Sequence, residues 1–207
     1  MNKNVEFVFI LYRPTRAQKR NTRGIVIDNT LKNIGYAAAA NEGVRRAFKN
    51  GITWVVICNQ DIVLTRKDKN ILIRTLQNLL PGIAGPEAGS FDPRRWSTIV
   101  PPRGSIDYIS GSCMAIHKNV YLTIGGFYEP YFMYYEDADY CVRAKKAGFP
   151  LSQINLPGFE HPRACSSRIK KYYLFRNHLL FVLREAPWRV KLHEFLRLPK
   201  TIYDYWR

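Results

Sequence analysis

The sequence is short of acids: 16 Asp and Glu face 32 Lys and Arg over 207 residues, a net charge of +16. A field of that sign favours anionic partners (nucleic acid, anionic lipid or phosphorylated substrates) without choosing between them. Long apolar runs are also missing. No stretch of about 18 uncharged apolar residues occurs, which argues against a transmembrane helix. Met1-Asn2-Lys3-Asn4 runs straight into a strand-like segment, without the charged, apolar, small-residue order of a secretory signal. Cysteine is scarce. Cys58, Cys113, Cys141 and Cys165 lie far apart with no CxxC, so a zinc knuckle is not expected. They read as free thiols of a protein in a reducing, cytoplasmic compartment. Neither an internal repeat nor a low-complexity tract is present. What is abundant is apolar material, 46% of residues with 14% aromatic, enough for one core in a domain of this length.

That material comes in short blocks. Val5 to Leu11, Gly24 to Ile27 and Ile52 to Cys58 are continuous apolar runs, the signature of strands buried on both faces of a parallel sheet. Between and after them, Ala37 to Asn50 and Asp68 to Leu80 have helical composition and end at Gly51 and at Pro81-Gly82. Ile83 to Pro86, Ile106 to Ile109, Cys113 to Ile116 and Leu151 to Leu156 read as further strands. Tyr121 to Gly126 and Glu136 to Gly148 read as helices. Glu87 to Gly104, rich in Pro, Gly, Ser and Arg, reads as a long surface loop of the kind used as a lid. The basic stretch Arg16 to Arg23 has no apolar stripe and offers little to a packed helix. Alternating strands and helices predict an α/β fold, a mostly parallel central sheet with helices on both faces. Ligands of such sheets sit beyond the carboxyl ends of the strands. Tyr12, Asp28, Asn29 and Asp61, each just after a strand, are therefore the polar residues to follow.

Asp61 ends a buried strand at the sheet mouth, where a carboxylate suits a cation bridging a diphosphate or can cap the next segment. Glu136, Asp137 and Asp139 crowd one helix start behind Tyr134-Tyr135. The helix dipole accounts for one such acid or two. Three repel unless a cation or shared protons intervene, and aromatic neighbours can raise a carboxylate toward general-base duty. His161 follows the last strand and is either structural or a ligand.

In order along the chain, Asp28-Asn29, Asn33-x-Gly35, Asn41-x-Gly43, Asn59-Gln60-Asp61, Ser110-Gly111-Ser112, Gly125-Gly126-Phe127, Glu136-Asp137-x-Asp139, His161 and Arg176-Asn177 resemble family 2 inverting glycosyltransferases of the GT-A fold. The order is most similar to the rhamnosyltransferase-like branch, and the resemblance covers about residues 5 to 180. It implies a Rossmann-like GT-A domain over 1–165, with a basic, aromatic helical segment over 166–207 packed on it. It implies Mn²⁺ or Mg²⁺ held by Asp61 and His161, and Asp137 as catalytic base. Glu136 and Asp139 would orient the acceptor or hold Asp137. Tyr12, Asp28, Asn29, Asn33, Gly35, Asn41, Asn59, Gln60, Gly111 and Ser112 would line the donor site. The donor would be a UDP- or dTDP-sugar, rhamnose among them, and the acceptor a hydroxyl of a glycan or lipid-linked glycan. Two features depart from the pattern. Asn59 stands where the metal motif usually has its first acid, and the segment between the first two strands is short.

From Pro162 to Arg207, eleven Lys and Arg with interleaved aromatics face three acids. This stretch could lie on an anionic membrane at the cytoplasmic face or pack its aromatics on the core. Two other readings follow from these residues. A catalytically weak glycosyltransferase-like binding module follows from Asn59. A basic nucleic-acid-binding protein follows from the charge, though no nucleic-acid motif occurs and the acid cluster fits it poorly, so no nucleic acid is expected.

Overall fold

A computed structural model describes residues 4–20, 22–162 and 167–206, with side chains to residue 203. The expected thiol Cys165 and the boundary between 165 and 166 lie outside the described residues.

The central sheet has six strands in the order β2-β1-β3-β8-β4-β9, made of β1 (Val5–Leu11), β2 (Ile25–Asp28), β3 (Trp54–Asn59), β4 (Ile83–Gly85), β8 (Cys113–His117) and β9 (Leu151–Gln153). β1 pairs in parallel with β2 and β3. β8 runs antiparallel between β3 and β4, and β9 returns parallel to β4. The sheet is therefore mostly parallel, as the apolar runs predict.

Alternation along β1 divides the core. Val8 and Ile10 face one layer with Val55, Ile57, Met114 and Ile116. Phe7, Phe9 and Leu11 face the other with Trp54, Val56 and Cys58. The first layer is closed by α2 (Tyr36–Lys49), whose Ala37, Ala39, Ala40 and Ala47 allow a close approach to the strands. It also receives α5 (Glu136–Lys146) and Phe181 of α6 (Arg168–Glu185). The second layer is closed by Leu72 and Leu76 of α3 (Arg66–Asn78), which starts at a capping box made by Thr65 and Asp68. Between β1 and β2, α1 (Arg16–Arg20) is five residues long and buries nothing, in keeping with its lack of an apolar stripe. Cys58, Cys113 and Cys141 are buried free thiols.

The stretch from Glu87 to Gly104 departs from its reading as a surface loop. It contains β5 (Ala88–Phe91) and β6 (Thr98–Ile99), which join β7 (Tyr108–Ile109) in a small antiparallel sheet. Aromatic packing is the cause. Phe91 stacks on Trp96 at 5.4 Å and on Tyr108 at 5.6 Å, and both Phe91 and Trp96 meet Phe181 of α6. Periodicity could not reveal contacts that close 90 residues away. After β8, α4 (Lys118–Ile124) ends at Gly125 as expected. The chain closes with α7 (Trp188–Leu196) and α8 (Leu198–Trp206), which contact α6. Among the described residues no helix is long and apolar enough to cross a membrane.

Candidate active site

Asp61 leaves the end of β3 at the carboxyl edge of the sheet. Its partner arrives from a hundred residues away through two devices. Val63 and Glu160 exchange backbone hydrogen bonds of 2.8 and 3.2 Å. Asp68, at the first turn of α3, accepts the Gly158 amide at 3.1 Å. Together they carry His161 to Asp61, with Nε2 at 3.9 Å from Oδ1. That oxygen is buried and has no hydrogen-bond partner among the described residues. A buried carboxylate oxygen left without a protein donor can take a cation, a ligand or a water.

Glu87 completes this group, and sequence reasoning missed it. Its Oε2 lies 3.0 Å from His161 Nδ1 and accepts from the Ser112 hydroxyl at 2.9 Å. The hydrogen bond to His161, ahead of burial, holds the Glu87 carboxyl below its usual range, and the same bond raises the His161 imidazole. With its proton on Nδ1, His161 turns an Nε2 lone pair toward Asp61, the carboxylate–histidine arrangement that supports metal ligands. Bonds of about 2.0–2.2 Å to each atom allow one cation to touch both. Among the described residues no group of three or more His, Cys, Asp and Glu is arranged around a metal ion, so the pair would leave most positions to donor oxygens. The one signal for Glu87 was an acid just past a short strand, inside a stretch that looks like loop.

From Ser112 the contacts continue to the acid cluster. The Gly111 amide donates to Asp137 Oδ2 at 2.8 Å, and the Ala138 amide donates to Oδ1 at 2.8 Å. The Tyr36 hydroxyl donates to the Gly111 carbonyl. Burial raises the Asp137 carboxyl, and the amide hydrogen bonds partly offset it. Glu136 is buried, Oε2 has no partner among the described residues, and burial followed by the Asp137 charge pushes its carboxyl well up. Asp61, His161, Glu87, Ser112, Gly111 and Asp137 thus form one continuous path along the strand ends.

The third acid points elsewhere. Asp139 is fully buried, and accepts from Arg143 at 2.7 Å, Arg184 at 3.1 Å and the Tyr131 hydroxyl at 3.3 Å. Of the two expected roles, orienting the acceptor or holding Asp137, this geometry suits the second: the Asp139 oxygens tie α5, which carries Asp137, to α6. Arg143 follows at the i+4 position, a pairing visible in the sequence, whereas Arg184 lies 45 residues on.

The donor-side residues divide in two. Tyr12, Asp28 and Asn33 are exposed. Tyr12 is joined at its backbone to the Gln60 amide by bonds of 2.7 and 3.0 Å, and the Arg13 guanidinium lies 5.3 Å from its ring centre. Asp28 accepts the Thr30 amide at 2.9 Å, which with the Thr30 hydroxyl keeps its carboxyl low, and Lys19 stands 3.8 Å away. Asn59 is half-buried, its amide on the Ser112 carbonyl at 2.9 Å. Asn29 and Asn41 are buried in the wall of the expected donor site. The Asn29 amide group holds the Gly35 carbonyl at 3.1 Å, and Asn41 pairs with the Phe127 backbone at 2.8 and 2.9 Å. Both are buried staples that shape the wall. Gly35 has φ +84°, and a Cβ there would sit 2.5 Å from the Phe132 ring, so no side chain fits.

The acids follow a strained turn. Phe132, Tyr134 and Tyr135 have φ of 66°, 68° and 71°, left-handed values that aromatic residues rarely adopt. Each costs on the order of 1–3 kcal/mol, and such strain persists only where the surroundings enforce it.

No family model matches the chain. Over 174 residues it is 24% identical to a low-salt glycan biosynthesis hexosyltransferase of Haloferax volcanii, covering 72% of this chain and 57% of that protein. Over 83 residues it is 35% identical to an N-acetylglucosaminyl-diphospho-decaprenol L-rhamnosyltransferase of Mycobacterium tuberculosis, covering 37% of this chain and 27% of that one. A dTDP-rhamnosyl transferase of Shigella flexneri is 22% identical, with 88% of this chain and 81% of that protein covered. The chain thus spans 57% and 27% of the first two relatives. A Drosophila β-1,4-galactosyltransferase 7, solved with manganese, UDP-Gal and xylobiose, shares the fold with a TM-score of 0.50 at 14% identity, over 81% of this chain and 78% of that one. The fold is GT-A, and the resemblance to rhamnosyltransferase-like glycosyltransferases holds.

Proposed function

We propose that this chain is a metal-dependent inverting glycosyltransferase of glycan or polysaccharide synthesis, moving a sugar, rhamnose foremost, from a UDP- or dTDP-linked donor to an acceptor hydroxyl. The observation that carries this reading is the unbroken path from Asp61 and His161 through Glu87 and Ser112 to Gly111 and Asp137. It sets a cation-competent pair at one end and an elevated carboxylate at the other.

Asp61 and His161 would hold Mn²⁺ or Mg²⁺, Glu87 orienting the imidazole. The cation would neutralise the charge that develops on the departing diphosphate. Tyr12, Asp28 and Asn33 would lie along the nucleoside, while Asn29, Gly35 and Asn41 shape its wall. Gly111 and Ser112 would border the sugar. Asp137 would take the proton of the acceptor hydroxyl as that oxygen attacks the anomeric carbon. The carbon–oxygen bond to the diphosphate breaks on the opposite face, and its electron pair leaves with the nucleoside diphosphate. One displacement inverts the centre without a covalent enzyme intermediate. The elevated carboxyl of Asp137 suits this duty, since a base works best with a pKa near ambient pH. Glu136, buried beside it, would help hold Asp137 in place. The fold supports one catalytic body in which residues beyond 166 pack on the 1–165 part through Phe181 and Asn177.

A lipid-linked acceptor would place the enzyme at the cytoplasmic face of an anionic membrane. Trp188, Leu192, Phe195 and Leu196 of α7 are exposed at helical spacing, with Arg189 and Lys200 exposed nearby. Glu185 is paired with Lys146, and Glu194 with Arg95 and His178. That pattern suits an interfacial helix. Flotation with vesicles containing phosphatidylserine should retain the protein, while Phe195→Asp with Leu196→Asp should release it. Equal retention on neutral vesicles would oppose this part.

Nucleotide release from UDP- and dTDP-sugars, with and without Mn²⁺, tests the main reading. Metal-stimulated release supports it. Failure to bind any donor in the presence of metal refutes it.

A further inference from the structure

The Arg176-Asn177 pair belongs to the motif series, yet both residues sit in α6, far from the acids in sequence. Asn177 is fully buried. Its side-chain NH₂ donates to the carbonyls of Tyr131 at 2.8 Å, Met133 at 2.6 Å and Tyr134 at 2.9 Å. Arg176 fixes the orientation of that amide by donating to its Oδ1 at 2.9 Å, and donates to the Pro130 carbonyl at 2.8 Å. The remaining carbonyl, that of Phe132, accepts the first two amides of α2, from Tyr36 at 2.6 Å and Ala37 at 3.2 Å. Every carbonyl from 130 to 134 is therefore held from outside the turn. This is the segment whose Phe132, Tyr134 and Tyr135 take left-handed values, and it leads directly into Glu136 and Asp137. The turn's own backbone hydrogen bonds are few: Tyr131 to Tyr128 at 3.2 Å and Phe132 to Glu129 at 2.9 Å in one 3₁₀ turn, and Met133 to Tyr131 at 2.8 Å.

We propose that Asn177 is a positioning residue for Asp137: by gathering three carbonyls it enforces the left-handed turn that sets the direction of α5's first turn, so α6 supports the catalytic apparatus. This rests on the reading of Asp137 as base. An isosteric acid in place of the amide would turn its donors into acceptors facing three carbonyls, and the turn would relax toward ordinary backbone values. Asp137 would then lose its alignment with Gly111, and displacement of a catalytic group by about 1 Å costs on the order of a hundredfold in rate.

The test uses the full chain with Asn177→Asp and with Asn177→Ser, which keeps one donor and serves where the acid variant does not fold. Backbone hydrogen exchange is measured over 131–138 and over β1 and β3, nucleotide release gives kcat and KM, and calorimetry with UDP or dTDP and Mn²⁺ gives the donor-side Kd. The expected result is faster exchange confined to 131–138, kcat reduced at least tenfold, and a nucleotide Kd within twofold of the parent. Unchanged exchange and unchanged kcat overturn the proposal. So does exchange raised equally in β1 and β3, which would make Asn177 a general stability residue. Faster local exchange in a parent protein with no turnover on any donor keeps the clamp and refutes the glycosyltransferase reading instead.

Discussion

The two sides of the cleft are built differently. On the proposed nucleoside side, Tyr12 and Asp28 at strand ends and Asn33 in the following loop stand exposed, near a five-residue helix that buries nothing. On the acid side, Glu136, Asp137 and Asp139 lie at least partly buried on a helix whose entry turn is held from α2 and α6. Recognition of a nucleoside tolerates adaptable groups. In the proposed mechanism proton removal needs a carboxylate fixed in place and shielded from water, and burial and clamping are concentrated on the acid side.

The sharpest way to break the comparison is Asp137→Asn, which removes the base and keeps one of its two backbone amide hydrogen bonds, its NH₂ facing the other donor. Turnover should fall about 10²–10⁴-fold while donor binding by calorimetry stays within severalfold. The pH profile sharpens the same point. Asp137 must be ionised to act, and burial raises its carboxyl, so activity should fall with decreasing pH at values above the usual carboxylate range. An acid limb at the ordinary carboxylate range would contradict its buried placement.

Asp139→Ala probes the structural end of the acid side. Removing one partner from a buried ion pair leaves Arg143 uncompensated and should cost roughly 3–5 kcal/mol in denaturant unfolding. Glu87→Ala should weaken Mn²⁺ binding, read by electron paramagnetic resonance, by about 10–100-fold, with Glu87→Gln intermediate because its amide oxygen can still accept from His161. Glu136→Gln should stabilise the protein at neutral pH by on the order of 1–3 kcal/mol, since the buried acid lacks a partner. Its folded carboxyl is raised, so the penalty appears as pH rises past the usual glutamate value and the gain should vanish in acid. Tyr12→Ala should have the smallest effect, a severalfold rise in donor KM with kcat little changed.

Much of this architecture was legible. Val5 to Leu11 matches β1 because a strand buried on both faces must be apolar throughout. Asp61 was found because the end of such a strand is a site by topology. Glu87 was not found, since its partners His161 and Ser112 come together only through β8 and the Val63–Glu160 bridge. The fate of Asp139 was half legible: Arg143 lies one helical turn away, but Arg184 reaches it through packing of α6. Asn41 reads in sequence as a donor-site residue and Asn177 only as part of a motif, yet both cap backbone groups 86 and 43 to 46 residues away. Contacts at that separation leave no periodic trace.

The central claim is that one cation site and one base share a cleft. Anomalous scattering from crystals grown with MnCl₂ and UDP or dTDP tests it most directly. The account predicts a manganese peak bonded to Asp61 Oδ1 and His161 Nε2, with the diphosphate beside Ser112 and Asp137 across from it. A manganese ion bound with nucleotide at other side chains would contradict it.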